Sequence, residues 1–179
     1  MQPSKTKVDA RNGITAFSIS GGKFESLVLI GILATGAFNI VTYFDIAISG
    51  LPLEIPALLG KLTLGEHNPY AYAVGQLMHL GNGIGLSLLF GYVALPISRR
   101  IAKVPTVIYG IAFAVVETVI AVWLVMLPAI GAGVAGLNVA PEVPIITLFR
   151  HLVFGLVLGV SVRRWKLDAN QHSTFMSGM

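Results

Sequence analysis

The sequence predicts an all-α membrane protein in which four transmembrane helices form an antiparallel bundle. Four long apolar stretches fill residues 24–48, 70–96, 104–127 and 143–162. A helix needs about 20 apolar residues to cross a hydrocarbon core of about 30 Å, so each stretch is long enough. Only 11% of the residues are charged, whereas soluble domains carry about 25%. Nearly all basic residues lie outside the four stretches.

The first apolar stretch follows a basic segment, as the apolar region of a secretory signal peptide does. Residues 47–49 also form a weak small-residue cleavage pattern. However, the stretch has about 25 residues, well beyond the 7–15 of a usual signal peptide. We therefore expect a retained helix, preceded by a cytoplasmic N-terminal segment at residues 1–23.

The basic residues indicate how the bundle lies in the membrane. Of the 12 Lys and Arg residues, only Lys61 and Arg150 lie away from three segments. These segments precede the first helix, join the second to the third, and follow the fourth. The positive-inside rule places such segments, and hence both termini, in the cytoplasm. The transmembrane domain then spans residues 24–163, and residues 164–179 form a cytoplasmic tail. The net charge of +4 reflects this topology and contacts with lipid headgroups, not nucleic-acid binding.

The four stretches suggest an internal duplication. The first and third share a Gly-Ile run, at residues 31–34 and 110–113, and the second and fourth each carry a His with a Gly at i+4. Two helices return the chain to the same side of the membrane. A 2+2 duplication is therefore parallel, with its pseudo-two-fold axis along the membrane normal.

The histidines of the second and fourth helices, His79 and His151, occupy similar positions along their helices. They lie about nine and eight residues from the helix starts, which places both roughly 12–14 Å below the outer end. Small residues beside them let helices approach closely or leave room for a flat ligand. The glycines that we predict to pack in this way are Gly83, Gly85, Gly155 and Gly159.

Three charged residues lie within the apolar stretches near these histidines. Glu117 is near mid-membrane, Asp45 is near the outer end of the first helix, and Arg150 adjoins His151. Each costs at least about 2.5–3.5 kcal/mol in hydrocarbon, so such groups usually face the interior and pair. We expect Glu117 to pair with Arg150 or a histidine, and Asp45 is either paired or solvated. Further members of the polar network are Asn39 and Asn82.

Several kinds of site are compatible with these side chains. Buried polar groups usually hydrogen-bond to one another, so a structural network is one interpretation. A haem b ligated by His79 and His151, with Arg150 at a propionate, is another. A copper or zinc site would use His79, His151, Glu117 and Asp45. An intramembrane Glu beside His is also typical of a proton or solute pathway. The absence of cysteine excludes thiolate ligands.

Motifs of soluble enzymes are missing from the sequence. There is no serine-hydrolase elbow, HExxH or Walker sequence. The glycine-rich run at residues 81–85 lies within a span and has no strand before it, so the phosphate-binding context is absent. The sequence therefore does not favour an enzyme.

Four segments of the chain carry a family resemblance. They are LEIPALLG at residues 53–60, His79 with its glycines, LPAIGAG at residues 127–133 and HLVFG at residues 151–155. Over residues 27–162 the chain resembles a family of small, uncharacterised bacterial four-helix membrane proteins with a His in the second and fourth helices. The resemblance implies this fold and the pair of histidines, but not a mechanism. We expect the protein to lie in the bacterial inner membrane.

Three functions follow as hypotheses. The first is a non-catalytic accessory or structural subunit of a larger membrane complex, because small-residue faces suit helix docking. The second is a haem- or metal-binding protein that uses His79 and His151 for electron transfer. The third is a proton or small-solute transporter that works as an oligomer. The expected partners are the lipid bilayer and other membrane subunits.

Overall fold

The computed structural model describes residues 22–167, and within this range the secondary structure is helical, without strands. The predicted segments at residues 1–23 and 164–179 therefore lie largely outside the described residues. Four helices are long and apolar enough to cross a membrane, as predicted. With one short helix, the elements are α1 (Lys23–Ser49), α2 (Ile55–Leu64), α3 (Ala71–Ile101), α4 (Thr106–Ala129) and α5 (Val143–Arg164).

Helix ends follow the local sequence. After α1, Gly50 adopts φ 71° and donates its N–H to the Ile46 carbonyl, a left-handed cap that glycine forms without strain. At the start of α5, Pro144 occupies the first turn, where its missing N–H is not needed. α3 continues past Pro96 to Ile101. Wider π-helical turns at Phe90–Ala94 precede this proline and accommodate it.

The short helix α2 was not predicted, because its Pro- and Gly-rich sequence is typical of a link. It begins with Pro56 in its first turn and ends before Gly65. α2 packs closely on the start of α3. A Cβ added at Gly75 would lie 1.8 Å from the Pro56 carbonyl oxygen, and one at Gly60 would lie 1.7 Å from that of Ala71. Glycine at both positions therefore permits the contact.

α1 and α5 form the centre of the bundle. In the most apolar 18-residue window of each helix, 39% of the residues are buried in α1 and α5, against 28% in α3 and α4. α3 packs on α1, and α4 packs on α5. Ile30, Phe90 and Leu158 are fully buried in this core.

Glycines make the closest helix contacts, mostly where we predicted them. Gly83 faces Gly31 across the α1–α3 contact. Gly155 and Gly159 face Gly110 across the α4–α5 contact. Gly85 differs from the prediction, because nothing in the described part of the chain lies within 4 Å of a Cβ added there. It is two residues beyond Gly83 and so lies on the opposite side of α3.

One end of the bundle collects positive charge, and we call it the basic end. α3 and α5 finish there with Arg99 and Arg100, and with Arg163 and Arg164. α1 begins there, where Lys23 Nζ lies 4.7 Å from the Tyr92 ring centre of α3. The described acidic residues of the links, by contrast, lie at the opposite end, which we call the outer end after the predicted orientation: Glu54, Glu66 and Glu142.

Candidate functional site

A cavity of about 360 Å³ lies in the outer half of the bundle, where side chains from all five helices meet. This volume is at the small end of the 300–1,000 Å³ range of ligand pockets. Most of its wall is apolar, with a few polar groups. The lining residues are Phe38, Ile55, Leu59, Met78, His79, Asn82, Glu117, Ala121, Val122, Met126, Thr147, Arg150 and His151.

Arg150 is fully buried and forms a bidentate ion pair with Asp45. Its Nε donates to Asp45 Oδ2 at 2.5 Å, its Nη2 donates to Oδ1 at 2.5 Å, and its Nη1 donates to the Leu53 carbonyl at 2.6 Å. Such fork-to-carboxylate pairs are the stronger charge-assisted hydrogen bonds. They join α5 to α1 and to the link before α2.

This pairing differs from the alternative in which Arg150 meets Glu117. Side chains on a helix tilt toward its N-terminus. The N-terminus of α5 is at the outer end, so the Arg150 side chain extends toward Asp45 near the end of α1. Glu117 lies deeper in the membrane and is left to a histidine. Asp45 is accordingly paired, with its side chain 17% exposed.

Glu117 lies against His151, with 3.4 Å between Oε2 and Nε2. The other ring nitrogen of His151, Nδ1, lies 2.7 Å from the Thr147 carbonyl oxygen. A carbonyl only accepts hydrogen bonds, so Nδ1 carries a hydrogen and donates it. A neutral His151 therefore has a bare Nε2, and the contact with Glu117 is favourable when one proton lies between the two groups.

His79 is also buried and contacts the same Phe38 ring. The Phe38 ring centre lies 5.0 Å from that of His79 and 5.0 Å from that of His151, with edge-on geometry in both cases. His79 Nε2 is buried and has no hydrogen-bond partner among the described residues. Since an unpaired buried polar group is costly, this atom marks a place for a water or a ligand group. A neighbouring cavity of about 20 Å³ beside His79 is large enough for one water.

The backbone of α4 changes next to Glu117. Its turns widen to a π-helix over Thr118–Met126, directly after the glutamate. Three residues of this segment, Ala121, Val122 and Met126, line the cavity. The wider turns thus shape the cavity wall, and π-helical turns are frequent at functional sites.

The predicted polar network is divided between two places. Glu117 and Asn82 line the cavity. Asn39 instead donates to Gln76 at 3.3 Å, and Gln76 donates to the Tyr72 hydroxyl at 2.8 Å. Tyr72 donates to Glu54 at 2.9 Å, so this second chain of hydrogen bonds runs along α1 and α3 toward the outer end.

The described side chains do not assemble a metal site, and the haem interpretation stays a prediction. The Phe38 ring packs edge-on against both imidazoles. For a metal, Asp45 is already bound by Arg150. Across residues 22–167, no group of three or more His, Asp or Glu side chains is arranged to hold an ion.

Some site residues could not be recognised in the sequence. Phe38 is one of many apolar residues in a span, and the Leu53 carbonyl is a backbone group, so neither can be recognised as a site residue from the sequence. Thr147 is one turn before His151, and this i−4 spacing could have suggested the hydrogen bond to its carbonyl. Its hydroxyl accepts a hydrogen bond from Trp123 Nε1 at 2.9 Å, which places an indole beside the cavity.

These features define a multi-pass helical membrane protein with an internal cavity that carries ionisable side chains. The model of the family DUF6789, described as a family of unknown function, matches residues 25–173. The chain belongs to this family, in agreement with the predicted resemblance to an uncharacterised one. No curated protein and no solved structure matches the chain.

Proposed function

We propose that this protein is a small membrane transporter that carries protons on the Glu117–His151 pair and binds a small molecule in the adjoining cavity. The observation that carries the proposal is the contact between these two side chains. It lies at a cavity whose wall also includes His79, the residue with the buried and unpartnered Nε2. Ionisable residues within a membrane are functional candidates by default.

Charge compensation around the cavity supports a role for the proton. Arg150 is neutralised by Asp45 through two hydrogen bonds. The remaining titratable groups that line the cavity are His79, Glu117 and His151. An uncompensated carboxylate is costly at this depth, so we infer that solute and proton binding are linked through the Glu117–His151 pair.

The packing supports access from one side only. Fully buried Ile30, Phe90 and Leu158 fill the bundle between the cavity and the basic end. With the basic end in the cytoplasm of a bacterial inner membrane, as the positive-inside rule favours, the cavity is reached from the outer half. Release to the other side then requires a rearrangement of these helices.

A 2+2 duplication provides a basis for such a rearrangement, and matching contacts support it. Gly31 meets Gly83 in the first half of the chain, and Gly110 meets Gly155 in the second. Phe38 lies seven residues after Gly31, and Glu117 lies seven residues after Gly110. In this proposal Phe38 contacts His79 in the first half, and Glu117 contacts His151 in the second. Only the second contact joins two ionisable side chains.

Proton flux into proteoliposomes with a trapped pH dye tests the proposal. Under an imposed potassium diffusion potential, the wild-type protein should acidify the lumen faster than protein-free liposomes. Glu117→Gln should abolish this difference because it removes the proton-binding carboxylate. Glu66→Gln is the matched control, since Glu66 is exposed in the link before α3. Equal flux in wild type and Glu117→Gln would contradict the proposal.

An accessory subunit is the second candidate, and one observation favours it. Gly36, Gly81 and Gly85 have open space around the position of an added Cβ in the described part of the chain. Small residues on an outer face allow close docking of another helix. Co-purification with other membrane proteins at fixed stoichiometry after gentle solubilisation would support this role. A monodisperse protein without partners would contradict it.

A further inference from the structure

The exposed residues of the cavity wall point to a side opening between α3 and α4. These helices contact one another toward the basic end, where the ring centres of Phe90 and Phe113 lie 5.5 Å apart. In the outer half the cavity lies between them, and both contribute to its wall. Three lining residues on the two edges are exposed: Met78, Asn82 and Ala121. Such an opening faces the lipid.

We propose that the ligand is a neutral amphiphile that enters from the membrane through this opening. Its carbonyl or hydroxyl head lies between His79 and Glu117, and its apolar chain passes out between α3 and α4. This inference rests on the proposed function, because it names the class of ligand that the same cavity binds.

Hydrogen-bonding groups define the head of this ligand. His79 Nε2 is buried without a partner, so a ligand atom that pairs with it removes the cost of burying a bare polar group. Glu117 lines the same cavity and can accept from a hydroxyl or, when protonated, donate to a carbonyl. A carbonyl or hydroxyl head therefore satisfies both sides.

Electrostatics favour a neutral head. Asp45 compensates the charge of Arg150, the one cation of the cavity wall. A further N–H of Arg150 donates to the Leu53 carbonyl. An anionic head would lose its hydration without gaining a free positive partner, and it would also approach Glu117.

The apolar wall fits a chain that continues into lipid. Phe38, Leu59 and Val122 are inflexible or branched, whereas Met78 and Met126 are unbranched and adapt to different ligand shapes. Met78 is 42% exposed and stands at the edge of the opening. A ligand chain that leaves there needs no passage through water.

Fluorescence of Trp123 offers a direct binding assay. The chain has two tryptophans, so Trp165→Phe leaves Trp123 alone, beside the cavity through its bond to Thr147. We expect decylubiquinone to quench its emission saturably in detergent. His79→Ala should weaken the binding about tenfold through loss of a buried hydrogen bond. His67→Ala, in an exposed link, should leave it unchanged.

Two further comparisons test the head and the route. Decanol should displace the quinone, and decanoate at a pH where it is ionised should not. Ala121→Phe should block the opening and weaken binding, whereas Ala112→Phe, exposed on the same helix, should not. Each variant is first shown to elute as the folded protein does.

The outcomes separate this inference from the proposed function. Quenching that is linear and equal in the His79→Ala variant would show partition into detergent only, and would overturn the inference. Displacement by decanoate but not by decanol would overturn the neutral head. Proton flux that depends on Glu117, without any saturable quinone binding, would retain the transporter and reject the amphiphile.

Discussion

At the scale of single residues, Arg150 decides how the charges of the cavity are arranged. It is fully buried, and its fork binds both carboxylate oxygens of Asp45. That leaves Glu117 to face His151, whose Nδ1 is held by the Thr147 carbonyl. The charges of Arg150 and Asp45 thus compensate each other permanently, whereas the Glu117–His151 pair is able to gain or lose a proton.

Removal of one member of the Arg150–Asp45 pair should destabilise the protein strongly. Arg150→Leu leaves a partly buried carboxylate, and Asp45→Leu leaves a buried guanidinium, so each should lower the free energy of unfolding by about 3–5 kcal/mol. The double variant should lose much less than the sum. Thermal unfolding in detergent measures all three. Additive losses would show that the two charges do not stabilise each other.

His151→Asn should separate structure from proton chemistry. The Asn amide can donate to the Thr147 carbonyl as His151 Nδ1 does, but it offers no ring nitrogen to Glu117. We expect the variant to fold, with a melting temperature near that of the wild type, and to lose proton flux in proteoliposomes. Flux at the wild-type rate would exclude His151 from proton binding.

At the scale of helices, two glycine contacts set the distance between neighbours. Gly31 and Gly83 bring α1 to α3, while Gly110 and Gly155 bring α4 to α5. Directly beyond Glu117, α4 continues in π-helical turns, and residues of these turns line the cavity. Together these features leave the outer halves of α3 and α4 apart although each is tightly held by its own neighbour.

Gly110→Val should therefore destabilise the α4–α5 contact. A Cβ at this position would lie 2.4 Å from the Gly155 carbonyl oxygen, which is backbone and cannot rotate away. Overpacking of this kind costs about 1–3 kcal/mol. Gly85→Val is the matched control, because it adds the same side chain to a glycine in open space. Equal melting temperatures for the two variants would contradict the tight contact.

The sequence predicts the four transmembrane helices better than it predicts the arrangement of the site. Apolar length alone identifies α1, α3, α4 and α5, since hydrocarbon demands it. It does not identify α2, which has only 10 residues and contains Pro56 and Gly60. Helix rotation is equally hidden, because lipid-facing and core-facing sides of a span are both apolar. The contact of Phe38 with both histidines depends on that rotation.

At the scale of the whole molecule, the charge distribution gives a testable orientation. The chain has no cysteine, so single cysteines can be introduced without a background. Lys61→Cys at the outer end should react with a membrane-impermeant maleimide added to intact spheroplasts. Arg100→Cys at the basic end should react only after the membrane is opened. The reverse pattern would invert the proposed topology.

The ion pair also has a consequence for biosynthesis. Asp45 belongs to α1, and its counter-charge is made 105 residues later, in α5. A nascent chain that has inserted α1 alone therefore holds a carboxyl group that nothing yet neutralises. The carboxyl group stays without its partner until α5 is made. Chains truncated before α5 should therefore stay loosely assembled and be recognised by membrane proteases.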